Sequence, residues 1–151
     1  MIALETIQLK LGIAEPWVES RGTYWLNPGS VSVREIAAVM IEARARFITI
    51  TCYQLPGTDG FRLEYHWDLD GCLLGVPFVI TGNSIESIFD LSEAADWIER
   101  EIHEEYAIEF TGRAYEPLLL RKGDKLGVNL RDTAAPGAPA TGAAAPKEVA
   151  K

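Results

Sequence analysis

Cysteine and histidine are scarce in this chain of 151 residues, with two of each. Cys52 and Cys72 are too widely spaced for a CxxC motif and too few for a disulfide scaffold or an iron–sulfur cluster. His66 and His103 lie in different predicted elements, and neither has a second histidine at metal-ligand spacing. We therefore expect the chain to hold no metal or cofactor, and both cysteines to be small buried residues.

Long hydrophobic runs and the common catalytic motifs are also missing. No apolar run reaches the roughly 18 residues that a bilayer span requires, and Glu5 interrupts the stretch that would be apolar in a signal peptide. The sequence contains no HExxH, no GxSxG and no Walker-type phosphate loop. The net charge of −8 repels a phosphate backbone. We expect a cytoplasmic protein with no membrane span and no nucleic-acid partner.

The composition is that of one folded domain followed by a tail. Hydrophobic residues make up 48% of the chain and charged residues 24%, which suffices for a core. From residue 133 onward, eight alanines and three prolines occur without an aromatic residue. Such a segment cannot bury enough apolar surface to fold. We predict a domain over residues 1–131 and a disordered Ala/Pro tail over residues 132–151.

The middle of the chain predicts a helix followed by three strands. Ser32 and Glu35 have the spacing of a capping box, and the apolar stripe behind them predicts a helix over residues 33–45. Residues 47–81 are rich in β-branched and aromatic residues interrupted by turn signals, which predicts an antiparallel meander. Pro77 indicates a bulge or an edge position in the third strand.

The two ends of the domain complete an α+β pattern. Residues 6–13 predict an edge strand, and the next sixteen or so residues predict an irregular loop anchored by aromatic side chains. After a short strand, Asp90 with Glu93 predicts the cap of a second helix that ends near Glu105. We therefore predict a mainly antiparallel sheet with two helices packed on one face, followed by an extended C-terminal arm.

Acidic residues are concentrated in one segment of the chain. Residues 84–116 hold ten of them against two arginines, so this segment carries a net charge equal to that of the whole chain. Carboxylates near the end of a helix are disfavoured by its dipole. Two interpretations are open: a solvated helix face, or a docking surface for a basic partner. The acidic residues are Glu86, Asp90, Glu93, Asp96, Glu99, Glu101, Glu104, Glu105, Glu109 and Glu116.

The C-terminal arm, Leu118–Arg131, is apolar at its start and basic beyond it. Between Arg121 and Arg131 it has four basic residues and one acidic residue. Such an arm is compatible with a strap laid over another subunit and equally with a segment that returns onto its own domain. The sequence does not choose between them.

Two other functions are compatible with the residues alone. A stand-alone binding module could enclose a small ligand between the sheet and the four tryptophans, which are Trp17, Trp25, Trp67 and Trp97. An enzyme could use His66 with nearby acidic residues as a general base.

The segment Ala94–Gly112, AADWIEREIHEEYAIEFTG, resembles the C-subunit family of the respiratory NADH dehydrogenases (complex I), which is also found in membrane-bound, energy-converting [NiFe] hydrogenases. The family's helix carries a tryptophan, then Glu-Arg-Glu and a further acid, and the chain leaves it through a pattern of glycine, isoleucine, phenylalanine and glycine. The likeness extends over about residues 36–120. The matching positions are Trp97, Glu99, Arg100, Glu101, Glu104, Ala107, Ile108, Phe110 and Gly112.

The sequence departs from the family pattern at three places. Glu105 stands where an apolar residue is usual, Arg113-Ala114 replaces His-Pro, and Pro117-Leu118 replaces a following arginine. These departures favour the hydrogenase-type branch over a true NADH dehydrogenase.

The resemblance implies a scaffold subunit of an oxidoreductase complex in electron transport, bound peripherally at the membrane and without catalytic residues or cofactors of its own. Its implied partners are the large catalytic subunit and the iron–sulfur small subunit. Under this hypothesis the C-terminal arm wraps over a neighbour, and the docking residues are Trp97, Glu99, Arg100, Glu101, Glu104, Phe110, Gly112, Arg121 and Lys122.

Overall fold

The computed structural model describes residues 2–131, with side chains described from Leu4 onward. The predicted tail over residues 132–151 lies outside the described residues. In chain order the elements are α1 (Ile2–Leu11), β1 (Val18–Ser20), β2 (Thr23–Trp25), α2 (Val33–Glu42), β3 (Arg46–Gln54), β4 (Phe61–Leu69), β5 (Cys72–Ile80), β6 (Ser84–Glu86), a 3₁₀ turn (Glu93–Ala95), α3 (Asp96–Tyr106) and β7 (Glu109–Thr111).

The predicted meander is confirmed as β3, β4 and β5, which pair antiparallel along their length. Asp70 and Gly71 join β4 to β5, both with positive φ, as a two-residue hairpin turn requires. Burial alternates strictly along β4, so Leu63, Tyr65 and Trp67 face the core. The side chains of β4 on the opposite face are polar and half-buried.

Pro77 lies at an edge position rather than a bulge. Strand β2 pairs parallel with β5 only over residues 73–75, so β5 has a single strand neighbour, β4, at Pro77. The register between β4 and β5 is unbroken there. The missing N–H of proline therefore costs no ladder hydrogen bond on the open side of β5.

Helix α2 begins as the sequence predicts and ends earlier. The Ser32 hydroxyl accepts a hydrogen bond from the Glu35 N–H, and the Glu35 carboxylate accepts one from the Ser32 N–H, which completes the capping box. The apolar stripe of α2 is buried in a single core shared with the sheet, and consists of Val33, Ile36, Ala37 and Met40.

The prediction for the N-terminus was wrong. Residues 6–13 form no strand, because residues 6–11 belong to helix α1, which ends at Leu11. Leu4 and Ile7 are buried, and Leu11 packs beside them, which is the spacing of one helix face. The loop predicted after it contains the hairpin β1–β2, whose turn residues Arg21 and Gly22 both have positive φ. The Arg-Gly pair is a weaker hairpin signal than Asn-Gly or Asp-Gly.

The start of the last helix also differs from the prediction. Asp90 does not cap it, because both of its carboxylate oxygens bind the Arg34 guanidinium at 2.7 and 2.8 Å. Ser92 precedes the 3₁₀ turn, and α3 follows at Asp96. Strands β6 and β7 pair parallel on either side of α3 and form a separate two-stranded sheet.

The α+β class and the mainly antiparallel sheet are confirmed, with one correction to the helices. Within residues 2–131 there are three α-helices instead of two. The five-stranded sheet has the order β1-β2-β5-β4-β3 and is antiparallel except where β2 pairs with β5. Cys72 is exposed at the hairpin turn, contrary to the burial expected, and Cys52 is half-buried. None of the described helices has the length and apolar character that crossing a bilayer takes.

Candidate interaction site

Glu99 lies in the interior of the domain, on the face of α3 that points toward β6. Its side chain is almost fully buried, with a residue exposure of 1%. One carboxylate oxygen accepts the Ser87 hydroxyl at 2.6 Å, and the other accepts the Ile88 N–H at 2.8 Å. These bonds attach α3 to the segment after β6, and both donors are buried.

Arg113 completes the group around Glu99 from the chain that leaves β7. Its guanidinium donates to Glu99 at 3.1 Å and also binds Asp96 on the first turn of α3. The guanidinium lies over the Phe89 ring, 4.5 Å from the centroid. A buried carboxylate is tolerated only when it is paired and hydrogen-bonded, and Arg113 supplies the paired charge.

Glu104 holds the beginning of the C-terminal arm. Its exposure is 2%, and its carboxylate accepts the Tyr115 hydroxyl at 2.7 Å. It also accepts three successive backbone N–H groups, from Leu118, Leu119 and Leu120, at 2.6 to 3.0 Å. One acidic side chain therefore fixes the conformation of three consecutive residues of the arm.

The rest of the C-terminal arm turns around the end of α3. The N–H groups of Gly127 and Asn129 donate to the carbonyls of Glu104 and Glu105, which are free because the helix ends there. The Arg131 N–H donates to the Gln54 side chain on β3. The arm thus returns onto its own domain, which was one of the two possibilities left open by the sequence.

Arg100 binds both the helix and the segment before the arm. It pairs with Asp96 at 2.9 Å and donates to the carbonyls of Glu116 and Pro117 at 2.8 and 2.6 Å. Asp96 is therefore shared by Arg100 and Arg113.

The hydrogen bonds shift the acid–base behaviour of these groups. Burial alone would raise the pKa of Glu104, but the bonds from Tyr115 and the backbone N–H groups hold that pKa below its usual value. Burial likewise opposes ionisation of Asp96, yet Arg113 and Arg100 keep its pKa lowered. Burial, and then the bond to the Glu104 carboxylate, raises the pKa of Tyr115 to about 12. The charged forms of both acids are thus the native ones.

A groove lies where the start of α3 meets the segment after β7. We call it the Trp97 groove; its volume is about 570 Å³. Trp97 forms part of the wall of the groove, and this residue is 71% exposed to solvent. The residues that line it include Phe89, Asp90, Glu93, Trp97, Arg113 and Glu116. A second cavity of about 380 Å³ is also lined by Arg113, together with His103 and Tyr115 among others.

The structure separates the predicted docking residues into three groups. Glu99, Glu104 and Phe110 are buried, so these side chains serve the domain's own packing and hydrogen bonding. Arg100 and Glu101 are partly exposed. Those on the surface are Trp97, Gly112, Arg121 and Lys122.

Sequence reasoning missed the roles of Arg113, Tyr115 and Ser87. In the sequence, Arg113 stands out only as a departure from the family pattern, because its partners are 14 and 17 positions away. A basic residue that closely follows nine acidic residues was an available signal for an ion pair. The other arginine of that segment, Arg100, is also paired.

The tryptophans do not enclose a common site. Trp67 is buried on the core face of the sheet against Phe47, whereas Trp25 packs on His66 across the opposite face. Trp17 donates its indole N–H to the Leu4 carbonyl. The ligand-binding module considered for these four rings has no support in this arrangement.

The contacts of His66 are those of a structural residue and not of a general base. Its Nε2 lies 3.3 Å from the Thr51 hydroxyl and 4.0 Å from Glu64, and it lines neither of the two cavities beside α3. Burial lowers the pKa of His66, with Glu64 opposing that shift. The Glu64 carboxylate is engaged by Arg62 at 2.7 Å.

The fold and these contacts define a class: a small α+β domain in which one buried carboxylate fixes the last helix and another organises the domain's own C-terminal arm. In the part of the chain that the structure describes, no group of histidine, cysteine and acidic side chains is arranged to hold a metal ion.

Comparison with known proteins makes the class specific. The sequence model of the family described as respiratory-chain NADH dehydrogenase, 30 Kd subunit, matches residues 30–136, which is more than half of the chain. The chain therefore belongs to that family. No curated protein matches the sequence.

Solved structures show the same fold. A chain of the membrane-bound sulfane sulfur reductase, an archaeal respiratory membrane complex, is 20% identical with a TM-score of 0.66, over 82% of this chain and 77% of that one. The trypsin-resistant fragment (1–134) of Nqo5 is 21% identical with a TM-score of 0.54, over 74% of this chain and 94% of that one.

Proposed function

We propose that this chain is a non-catalytic accessory subunit of a membrane-associated, complex I-related oxidoreductase. In this role it binds the large catalytic subunit and the iron–sulfur small subunit, and it reaches the membrane only through the complex. Membership of the 30 kDa subunit family supports the proposal, as does the membrane-bound respiratory complex among its structural neighbours.

One observation carries the docking role: the C-terminal arm is fixed in place yet presents apolar side chains to solvent. Leu119 is 68% exposed and Val128 is 64% exposed, although the backbone N–H of Leu119 is bound by the buried Glu104. Arg121 and Lys122 lie on an exposed turn between them. Exposed apolar side chains beside a basic turn, on a segment whose backbone is held by hydrogen bonds, have the composition of a preorganised protein interface.

This arrangement revises how the acidic residues of α3 contribute. Glu104 would act from inside, by holding the C-terminal arm in its binding conformation, and Glu99 would hold α3 in place behind it. Glu101 is partly exposed and has no ion pair among the described residues, so it remains available for direct contact. Its counterpart would be a basic residue of a neighbouring subunit.

The test is co-purification of the full chain with its co-expressed partner subunits. Replacement of Leu119 and Val128 by Asp should abolish retention of the chain in the complex, because charges would be buried in an apolar interface. The matched control is Val79→Asp on β5, which is exposed to a similar extent (60%) and far from the arm in sequence. Circular dichroism should show both variants folded.

Three outcomes decide the docking proposal. It is supported if only the arm variant loses the partners, and it fails if the arm variant assembles as well as the control or if the wild-type chain does not co-purify at all. Glu101→Lys should weaken retention at low salt more than at high salt. The type of parent complex follows from its composition, since nickel in the purified particle would identify the hydrogenase-type branch that the sequence departures favour.

A further inference from the structure

The exposed surface beside α3 contains a groove that is separate from the exposed apolar side chains of the arm. We propose that the Trp97 groove receives a basic, extended segment of a partner subunit, whose arginine or lysine side chain lies on the Trp97 indole within reach of Glu93 and Glu116. This inference rests on the proposed function and names the chemistry of one of its partners.

Trp97 is the first reason for the proposal. Tryptophan is usually largely buried, but this indole is 71% exposed on a helix that is otherwise well packed. Tryptophan is also the aromatic residue best suited to bind a cation over its face, and it is enriched at interface positions that dominate binding. Phe89 adds a second apolar surface in the same groove, suited to the methylene stem of a long basic side chain.

The second reason is the charge that the groove leaves uncompensated. Its cation, Arg113, is already paired with Asp96 and Glu99, and Asp90 is paired with Arg34. Within residues 2–131, Glu93 and Glu116 have no ion-pair partner. Two free carboxylates beside an exposed indole form a negative concave surface, which attracts a positively charged segment.

The third reason is size. A volume of about 570 Å³ falls in the range of sites that hold a group larger than a single side chain. The groove is open to solvent, so the backbone of a partner segment can lie across it with one of its basic side chains inserted into the groove. An extended segment therefore fits the groove better than a single bound ion does.

The experiment measures binding of the purified full chain to the partner subcomplex that lacks it, at low and at high salt. Trp97→Ala, and separately the pair Glu93→Gln with Glu116→Gln, should weaken binding by about fivefold or more at low salt. The double variant should also reduce the salt dependence of binding. The matched control is Glu86→Gln with Glu109→Gln, two exposed acids on β6 and β7 that do not line the groove.

Failure of this inference is distinguishable from failure of the proposed function. If the wild-type chain binds the subcomplex and the groove variants bind like the control, the groove inference is overturned and the docking role stands. If the wild-type chain does not bind, the docking role fails. The groove is then judged with a probe, the peptide acetyl-Gly-Arg-Gly-Arg-Gly-amide, followed by the Trp97 indole N–H resonance.

The peptide measurement can support or overturn the groove inference by itself. A shift of the Trp97 signal with the arginine peptide, absent with the same peptide carrying glutamate, supports the inference. Equal responses, or none, overturn it. Lys147 and Lys151 of the same chain are competing occupants. A variant that ends at Arg131 is therefore compared with the full chain. If truncation moves the Trp97 resonance by as much as the arginine peptide does, the chain's own C-terminus occupies the groove and the assignment to a partner is wrong.

Discussion

The two halves of this domain are held together by different forces. Strands β3, β4 and β5 with helix α2 are joined through apolar side chains such as Leu63, Leu74 and Met40, which are fully buried and need no specific partner. We call this part the sheet half, and helix α3 with the C-terminal arm the arm half. In the arm half, Glu99 joins helix α3 to the segment after β6 and to Arg113, and Glu104 joins it to the C-terminal arm. Both side chains are equally buried but are carboxylates.

This difference explains why the sheet half should tolerate substitutions of similar size, whereas the arm half should tolerate few changes to its polar side chains. Apolar packing is non-directional, so several side chains of similar size serve at one position. A buried carboxylate is stable only with its complete set of donors, and each donor lost leaves an unsatisfied group. The arm half is therefore expected to be sensitive to single polar changes and to pH, whereas the sheet half is sensitive to volume.

The strongest test of this comparison is Glu99→Ala. The change leaves the Ser87 hydroxyl, the Ile88 N–H and half of the Arg113 guanidinium without their acceptor. We expect the free energy of unfolding to fall by about 3–5 kcal/mol in urea denaturation. Glu101→Ala on the same helix, at a partly exposed position, should change it by less than about 0.5 kcal/mol. Equal losses in the two variants would contradict the special role of the buried Glu99 carboxylate, on which the contrast between the halves depends.

In the sheet half, Leu63→Ala should cost about 3 kcal/mol, through lost burial and the cavity left behind. No titratable group is altered, so the loss should be the same at pH 7 and at pH 4. Denaturation curves at both pH values check this. A loss that shrinks markedly at the lower pH would show that the sheet is coupled to the carboxylates of the other half.

Glu104→Gln should cost about 2 kcal/mol at neutral pH, because the amide donates where the carboxylate accepts. The pKa of Glu104 is lowered in the folded chain, so its charged form stabilises the fold above the ordinary carboxyl pKa. That stabilisation is lost as the pH falls through the lowered value. The wild-type and variant stabilities should therefore converge in acid. Amide exchange at residues 118–120 should accelerate in the variant, and unchanged exchange would contradict the role of Glu104.

The smallest expected effect belongs to the N-cap of α2. Ser32→Ala removes the acceptor of the Glu35 N–H, which should cost about 1 kcal/mol by thermal or urea unfolding. The comparison is Ser30→Ala, two residues earlier and exposed, which should be neutral. If neither variant changes the free energy of unfolding, the capping box sets where α2 begins but does not stabilise the fold.

The sheet half could be predicted from the sequence because its signals are local. The capping box and the Asp70-Gly71 turn each specify their structure within four residues. Helix α1 was misassigned because its buried face shows only Leu4, Ile7 and Leu11 over a short segment that also alternates. The β1–β2 hairpin was missed because Arg21 adopts positive φ without being a typical residue for it.

The arrangement around α3 could be predicted only in part. The sequence located the acidic segment and its excess of charge, but it could not say which carboxylates are buried. Burial of Glu104 depends on Tyr115 and on backbone N–H groups, which carry no residue-specific signal. Charge counting treated every acid as solvent-exposed, whereas the pairing of Glu99 with Arg113 is set by the return of the chain after β7.

The short parallel pairing of β2 with β5 has a kinetic consequence. It joins Thr23 to Leu73, fifty positions apart, through three residue pairs. The meander closes only short loops, whereas this contact requires a long loop closure for a small gain. During refolding the meander should therefore form first, and the N-terminal hairpin should dock late, onto a sheet that already exists.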